Sequence, residues 1–119
     1  MTFSSKEAFS TRESMNQDAM DDLNFGVIRM DRNANIKAYN KYELNLSGNQ
    51  REEVLGKDFF KQIAPCTNNF MVAEKYLLDD IIDEEIDYIF TYRMAPTKVK
   101  LRLLSNPNEN HQYLLVQKS

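Results

Sequence analysis

The rhythm of apolar and polar positions changes three times along the chain. Residues 1–23 hold no sustained period and are rich in Ser, Glu, Asp and Met. Within them Ser4 with Glu7 and Ser14 with Gln17 stand at capping-box spacing, which predicts one or two short helices in a loosely attached cap. From Phe25 onward two short β-type runs, residues 25–30 and 35–40, flank the turn-like Asp31-Arg32-Asn33-Ala34. Residues 41–65 are irregular, punctuated by Ser47-Gly48-Asn49 and Gly56, with a short helix expected over 51–55. Asn68 or Asn69 is then placed to cap a helix whose apolar face is Phe70, Ala73, Leu77 and Ile81.

Alternation is strongest in the last third. Ile86, Tyr88, Phe90, Tyr92 and Met94 alternate with Asp87, Ile89, Thr91 and Arg93, the period of a half-buried strand. Val99, Leu101 and Leu103 alternate with Lys98, Lys100 and Arg102, which predicts a second strand with a cationic outer face. After the turn Asn106-Pro107-Asn108 a final strand is expected over 113–117. Two strands, a helical middle and three strands imply an α+β fold: an antiparallel sheet with helices gathered on one face. The same order suits a PAS domain, with 1–23 as a cap and 24–119 as the domain proper.

Composition narrows the function. The 119 residues fit one domain with a core large enough to need neither disulfide nor structural metal. A net charge of −3 without a basic stripe argues against nucleic-acid binding. No apolar run reaches the ~20 residues of a membrane span and the N-terminus lacks a signal-peptide core, so a cytoplasmic protein with no membrane partner is expected. A single cysteine suits a reducing compartment. With one histidine and one cysteine, metal-site spacing is lacking. The histidine, His111, lies beside a polar turn and is expected to be exposed. The acidic run Asp79, Asp80, Asp83, Glu84 and Glu85 reads as a solvated helix end and loop.

Two groups of residues can carry chemistry. Cys66 follows a proline in Ile63-Ala64-Pro65-Cys66-Thr67, with a helix start expected just beyond it; the partial positive charge there would favour a thiolate and hence acylation. A lone cysteine is nevertheless most often a small buried hydrophobe. Tyr39, Glu43 and Ser47 recur every four residues, so a helix starting after Tyr39 would turn a phenol, a carboxylic acid and a hydroxyl to one side. From spacing alone the blander reading weighs more: a strand-end aromatic followed by two solvated loop residues.

The longer segments shift that balance. Phe25-Gly26-Val27-Ile28, Asn35-Ile36-Lys37-Ala38-Tyr39-Asn40, Gly56-Lys57-Asp58-Phe59-Phe60-Lys61-Gln62-Ile63-Ala64-Pro65-Cys66-Thr67 and Tyr92-Arg93-Met94-Ala95-Pro96-Thr97-Lys98-Val99-Lys100 together resemble the photoactive yellow proteins, in order from about Asp21 to the C-terminus. The resemblance implies a PAS-fold blue-light receptor, not an enzyme, with a 4-hydroxycinnamic (p-coumaric) acid chromophore bound as a thioester to Cys66. It implies that Tyr39 and Glu43 hydrogen-bond the chromophore phenolate and that Ser47, where the family has threonine, supports them. Phe59, Phe90, Tyr92 and Met94 would line the pocket, Met94 serving thermal re-isomerisation. Three departures stand out: Asn49 occupies the place of a lid arginine, Leu44 replaces a glycine, and the stretch after Cys66 is about three residues short, within ordinary loop variation.

A buried phenolate is costly unless hydrogen-bonded, and donors to an anion make short, strong bonds. The implied mechanism therefore needs a neutral Glu43 in the dark, proton transfer after isomerisation, and a buried carboxylate whose cost loosens the pocket. A signal could then pass to a downstream signalling protein that the sequence does not identify. The alternative is a PAS interaction or ligand-sensing module without this chromophore. A cysteine hydrolase ranks third, since the histidine sits in a polar turn and no oxyanion loop is recognisable.

Overall fold

The alternating last third becomes the long side of a five-stranded antiparallel sheet in the order β2-β1-β5-β4-β3. The computed structural model describes residues 1–91 and 96–119. Its strands are β1 (Gly26–Asp31), β2 (Ile36–Tyr39), β3 (Ile82–Phe90), β4 (Thr97–Ser105) and β5 (His111–Lys118). Its helices are α1 (Lys6–Ser10), α2 (Gln17–Asp21), α3 (Lys41–Ser47) and α4 (Arg51–Val54), followed by a π-type turn (Phe59–Ile63) and 3-10 turns at Pro65–Thr67 and Ala73–Leu77. No helix among the described residues is long and apolar enough to cross a membrane.

Both faces of the sheet are covered, which explains why β4 and β5 are buried almost continuously. Successive side chains point to opposite faces. Ile28, Leu101, Leu103, Leu114 and Val116 pack with Tyr39, Val54, Phe59, Phe90 and Tyr76 in the larger core. Val27, Ala38, Leu104, Tyr113 and Leu115 pack on the other side with Phe3, Ala8, Met20 and Phe25.

That second core corrects the expectation of a loose N-terminal cap. Phe3 meets Phe25 edge to face at 6.0 Å. The Arg102 guanidinium, read from sequence as part of a cationic outer face, is buried; it donates to the carbonyls of Phe3 (2.9 Å) and Ser5 (2.7 Å) and to both Asp83 oxygens. Arg29 donates to the carbonyls of Arg12 and Met15 and to the Tyr113 hydroxyl. His111 is only half-exposed, its Nδ1 2.9 Å from Glu13 Oε2. The cap helices form where expected, but Ser5 and Asn16 cap them instead of Ser4 and Ser14.

The stretch after Cys66 departs furthest from expectation. Among the described residues no α-helix follows Asn69; turns that bury Val72 lead into one 3-10 segment that buries Tyr76, leaving Phe70, Leu77 and Ile81 largely exposed. A 3-10 turn advances faster and repeats every three residues, so a face spaced for 3.6 residues cannot stay buried on it. Asn69 caps no helix; its Oδ1 instead closes a turn by accepting from the Met71 and Val72 amides. The acidic residues Asp83, Glu84 and Glu85 lie in β3, not in a loop.

Candidate functional site

Asn40 organises the polar end of the larger core. It is fully buried and begins α3: its Oδ1 accepts from the Val27 and Glu43 amides (2.9 and 3.2 Å), and its Nδ2 donates to the carbonyls of Met20 and Phe25 (2.8 and 2.9 Å). One amide thereby joins α2, β1 and the first turn of α3. Gly48, with φ of 76°, ends α3 in the left-handed region that a residue with a Cβ avoids. Between these two ends α3 runs for less than two turns, and its inward residues are Glu43 and Ser47.

The helical geometry turns the i, i+4 residues inward as the spacing predicted. Tyr39 and Glu43 are fully buried and Ser47 is 2% exposed, against the blander reading of solvated loop residues. The Tyr39 hydroxyl lies 3.1 Å from Ser47 Oγ, which also accepts from the Asn49 side-chain amide at 3.2 Å. The Glu43 carboxyl lies over Gly26, where a Cβ would overlap its Oε1. Gly26 is thus a cradle for that carboxyl on β1. Asn49, at the place of the family's lid arginine, is half-buried and belongs to this hydrogen-bonded row.

Cys66 sits in the one-turn 3-10 segment Pro65–Thr67 and packs, partly buried, on the core that holds Tyr39, Phe59 and Phe90. Phe59 and Phe90 are fully buried there. The helix start expected beyond the cysteine is missing, so the macrodipole argument for its thiolate loses its basis. What the cysteine has instead is a fixed backbone. Its carbonyl accepts from the Tyr88 hydroxyl and from Asn69 Nδ2 (3.1 Å), and Asn69 Nδ2 is also 2.7 Å from the Tyr88 oxygen. Tyr88 stacks edge to face on Phe90 at 6.1 Å. Tyr92 and Met94 lie outside the described residues.

Asn40, Asn69 and Tyr88 were missed as site-building residues. Asn40-x-x-Glu43 is an N-cap pattern readable in the sequence, and Tyr88 falls on the inward parity of its strand; neither pattern says what the side chain holds.

A sheet of this order, with α3, α4 and the turns after them on one face and the short N-terminal helices on the other, is a PAS fold. The fold matches the PAS domain of an HTR-like protein from Haloarcula marismortui with a TM-score of 0.70 at 14% identity, covering 95% of this chain and 99% of that one. No protein-family model matches the chain. A photoactive yellow protein of Rhodothalassium salexigens is 39% identical over 87 residues, 71% of this chain and 70% of that protein. One from Rhodobacter capsulatus is 33% identical over 100 residues, 82% and 81% of the two chains. The photoactive yellow protein domain of the sensor histidine kinase Ppr from Rhodospirillum centenum superposes with a TM-score of 0.82 at 30% identity, covering 92% of this chain and 98% of that one. The chain belongs to the photoactive yellow protein family, as a PAS-type sensor domain.

Proposed function

We propose that this protein is a blue-light receptor that holds a 4-hydroxycinnamoyl group as a thioester on Cys66. The observation that carries the reading is the burial of three polar side chains, Tyr39, Glu43 and Ser47, together at one end of a predominantly apolar core. A phenol, a carboxyl and a hydroxyl buried side by side are a set of polar groups suited to orienting a polar ligand. The residues fit that group: the chain's one thiol lies on the same core, and the donors suit a phenolate. When bound, the group supplies light absorption and isomerisation of its vinyl bond.

The protein's own residues do the rest. A Tyr39 hydroxyl has one proton and cannot donate to Ser47 and to a phenolate together. With the phenolate present, Tyr39 turns its proton to the ligand and accepts from Ser47, which itself accepts from Asn49. The row Asn49 to Ser47 to Tyr39 then points all its donors toward the anion, and each bond strengthens the next. Glu43, buried beside an anion, holds its proton and donates it. Loss of that proton leaves a carboxylate in an apolar core, a cost of several kcal/mol by rough measure, which favours a looser structure. Tyr88 and Asn69 keep the Cys66 peptide in place meanwhile.

Incubation with an activated ester of 4-hydroxycinnamic acid tests this. The wild type should gain the mass of one hydroxycinnamoyl group and a visible band that bleaches under blue light and recovers in the dark. Cys66→Ala should gain neither. A coloured Cys66→Ala product, or a wild type that remains colourless, would overturn the assignment and leave a PAS module for another ligand. For Glu43, the infrared band of a protonated carboxyl should bleach in the wild type and be missing in Glu43→Gln.

A further inference from the structure

The segment that failed to form a helix has an unusual surface. Phe70 is 73% exposed, Leu77 80% and Ile81 65%, with Leu78 and Met71 also exposed, all between β3 and the Cys66 turn. Five large apolar side chains open to water within one short connection are more than scattered exposure accounts for. Phe70 and Met71 line a groove of about 170 Å³ with Ile86 and the Lys75–Glu84 ion pair.

Charge says what could cover it. Residues 70–87 contain seven carboxylates and one lysine, a net −6 in a chain whose whole is −3. Lys75 is already paired with Glu84, Asp83 with Arg102 and Asp87 with Lys100. Glu74, Asp79 and Asp80 are exposed and make no ion pair among the described residues. A second copy docking by two-fold symmetry would set Asp79 and Asp80 against the same acidic residues, which is repulsive. An anionic lipid surface is disfavoured by the same charge. We infer that residues 70–81 form a docking surface for a cationic amphipathic segment of a partner protein, its apolar side seated on Phe70, Leu77 and Ile81 and its basic side facing Glu74, Asp79 and Asp80. The surface begins one residue after Asn69, the residue that holds the Cys66 carbonyl.

The probe is an 18-residue amphipathic Leu–Lys peptide, titrated by fluorescence anisotropy against the full chain without chromophore. A Leu–Glu peptide of the same pattern serves as comparison. Leu77→Ser with Ile81→Ser should weaken binding at least tenfold, and so should Asp79→Lys with Asp80→Lys; both pairs are exposed and leave the cores intact. Glu52→Lys with Asp22→Lys, which reverses two exposed carboxylates elsewhere, should change affinity less than threefold. Equal loss in that control, or no loss in the serine pair, would overturn the site. So would equal binding of the Leu–Glu peptide. Self-association of the free chain that the serine pair abolishes would assign the surface to a second copy, and binding to phosphatidylserine vesicles would assign it to lipid; either result refutes the proposal.

Discussion

Replacing Gly26 by alanine tests the position of the Glu43 carboxyl without any chromophore. A Cβ at residue 26 would overlap Glu43 Oε1 and lie 3.2 Å from Glu43 Cδ and 3.2 Å from Val116 Cβ. The backbone cannot step back, because Gly26 is paired with Val116 between β1 and β5. Overpacking of this kind costs about 1–3 kcal/mol. Alanine is better than glycine in a strand by roughly 0.5–1 kcal/mol, which offsets part of it. The net loss should be about 1–2 kcal/mol, a fall in Tm of about 4–8 °C for a domain near this size. The assay is a double-mutant cycle by thermal and urea unfolding, with Gly26→Ala, Glu43→Ala and the double variant. With the carboxyl removed, Val116 is the one of the three nearest contacts left to oppose the new methyl, so Gly26→Ala should cost less than about 0.5 kcal/mol in that background, and the coupling should be about 0.5–2 kcal/mol. Equal costs in both backgrounds would show that the carboxyl does not lie over Gly26, and the inward placement of Glu43 would fall with it.

Three further outcomes follow from individual contacts. Asn40→Ala removes an N-cap and strands buried partners on α2, β1 and α3, so unfolding should be easier by about 3–4 kcal/mol, with Asn40→Asp recovering only the accepting half. Ser47→Ala breaks the row from Asn49 to Tyr39; in loaded protein it should shift the visible band in the same direction as Tyr39→Phe but by less, and an unshifted band would remove Ser47 from the row. Glu13 gives a pH dependence: burial pushes its carboxyl up, but hydrogen bonds to His111 and Tyr113 and the charges of His111 and Arg29 bring it below its ordinary value of 4.5. A carboxyl depressed in the folded state contributes stability above its unfolded value and loses it as pH falls through the folded one. Wild-type Tm should therefore drop more steeply than that of Glu13→Gln below about pH 4.5, and parallel curves would show that Glu13 is not held there.

The sheet was legible because its signals are local. Parity along β3 and β4 and the Asp31–Ala34 turn each depend on a few adjacent residues, and all appear near their expected places. The Tyr39, Glu43, Ser47 spacing was legible as a geometry but not as burial, because burial depends on Asn40 starting α3 toward the core. Covering of the second face was illegible for a similar reason. Phe3 and Met20 look like isolated apolar residues in a polar stretch until Val27, Leu104 and Leu115 are seen to need cover on the face opposite α3 and α4. The stretch 69–81 misled because its apolar residues have helical spacing without the length or core contact to enforce a helix.

The two ends of the proposed site hang from opposite parts of the sheet. Tyr39 ends β2 and α3 follows it, while the Cys66 carbonyl is tied to β3 through Tyr88. Strands β1, β5 and β4 lie between these two in the sheet. A ligand joined to Cys66 and hydrogen-bonded to Tyr39 would therefore span the inner face, and a change in its shape would load those three strands. Their outer faces carry the N-terminal contacts: Arg29 of β1, Arg102 of β4 and Tyr113 of β5 hold Arg12, Met15, Phe3, Ser5 and Glu13. Hydrogen bonds to backbone carbonyls are sensitive to small displacements of the donor, since they weaken steeply with misalignment. The strands that would bear the strain are the strands that hold the cap, so hydrogen exchange in residues 3–15 should rise under illumination in loaded protein and stay unchanged in Cys66→Ala.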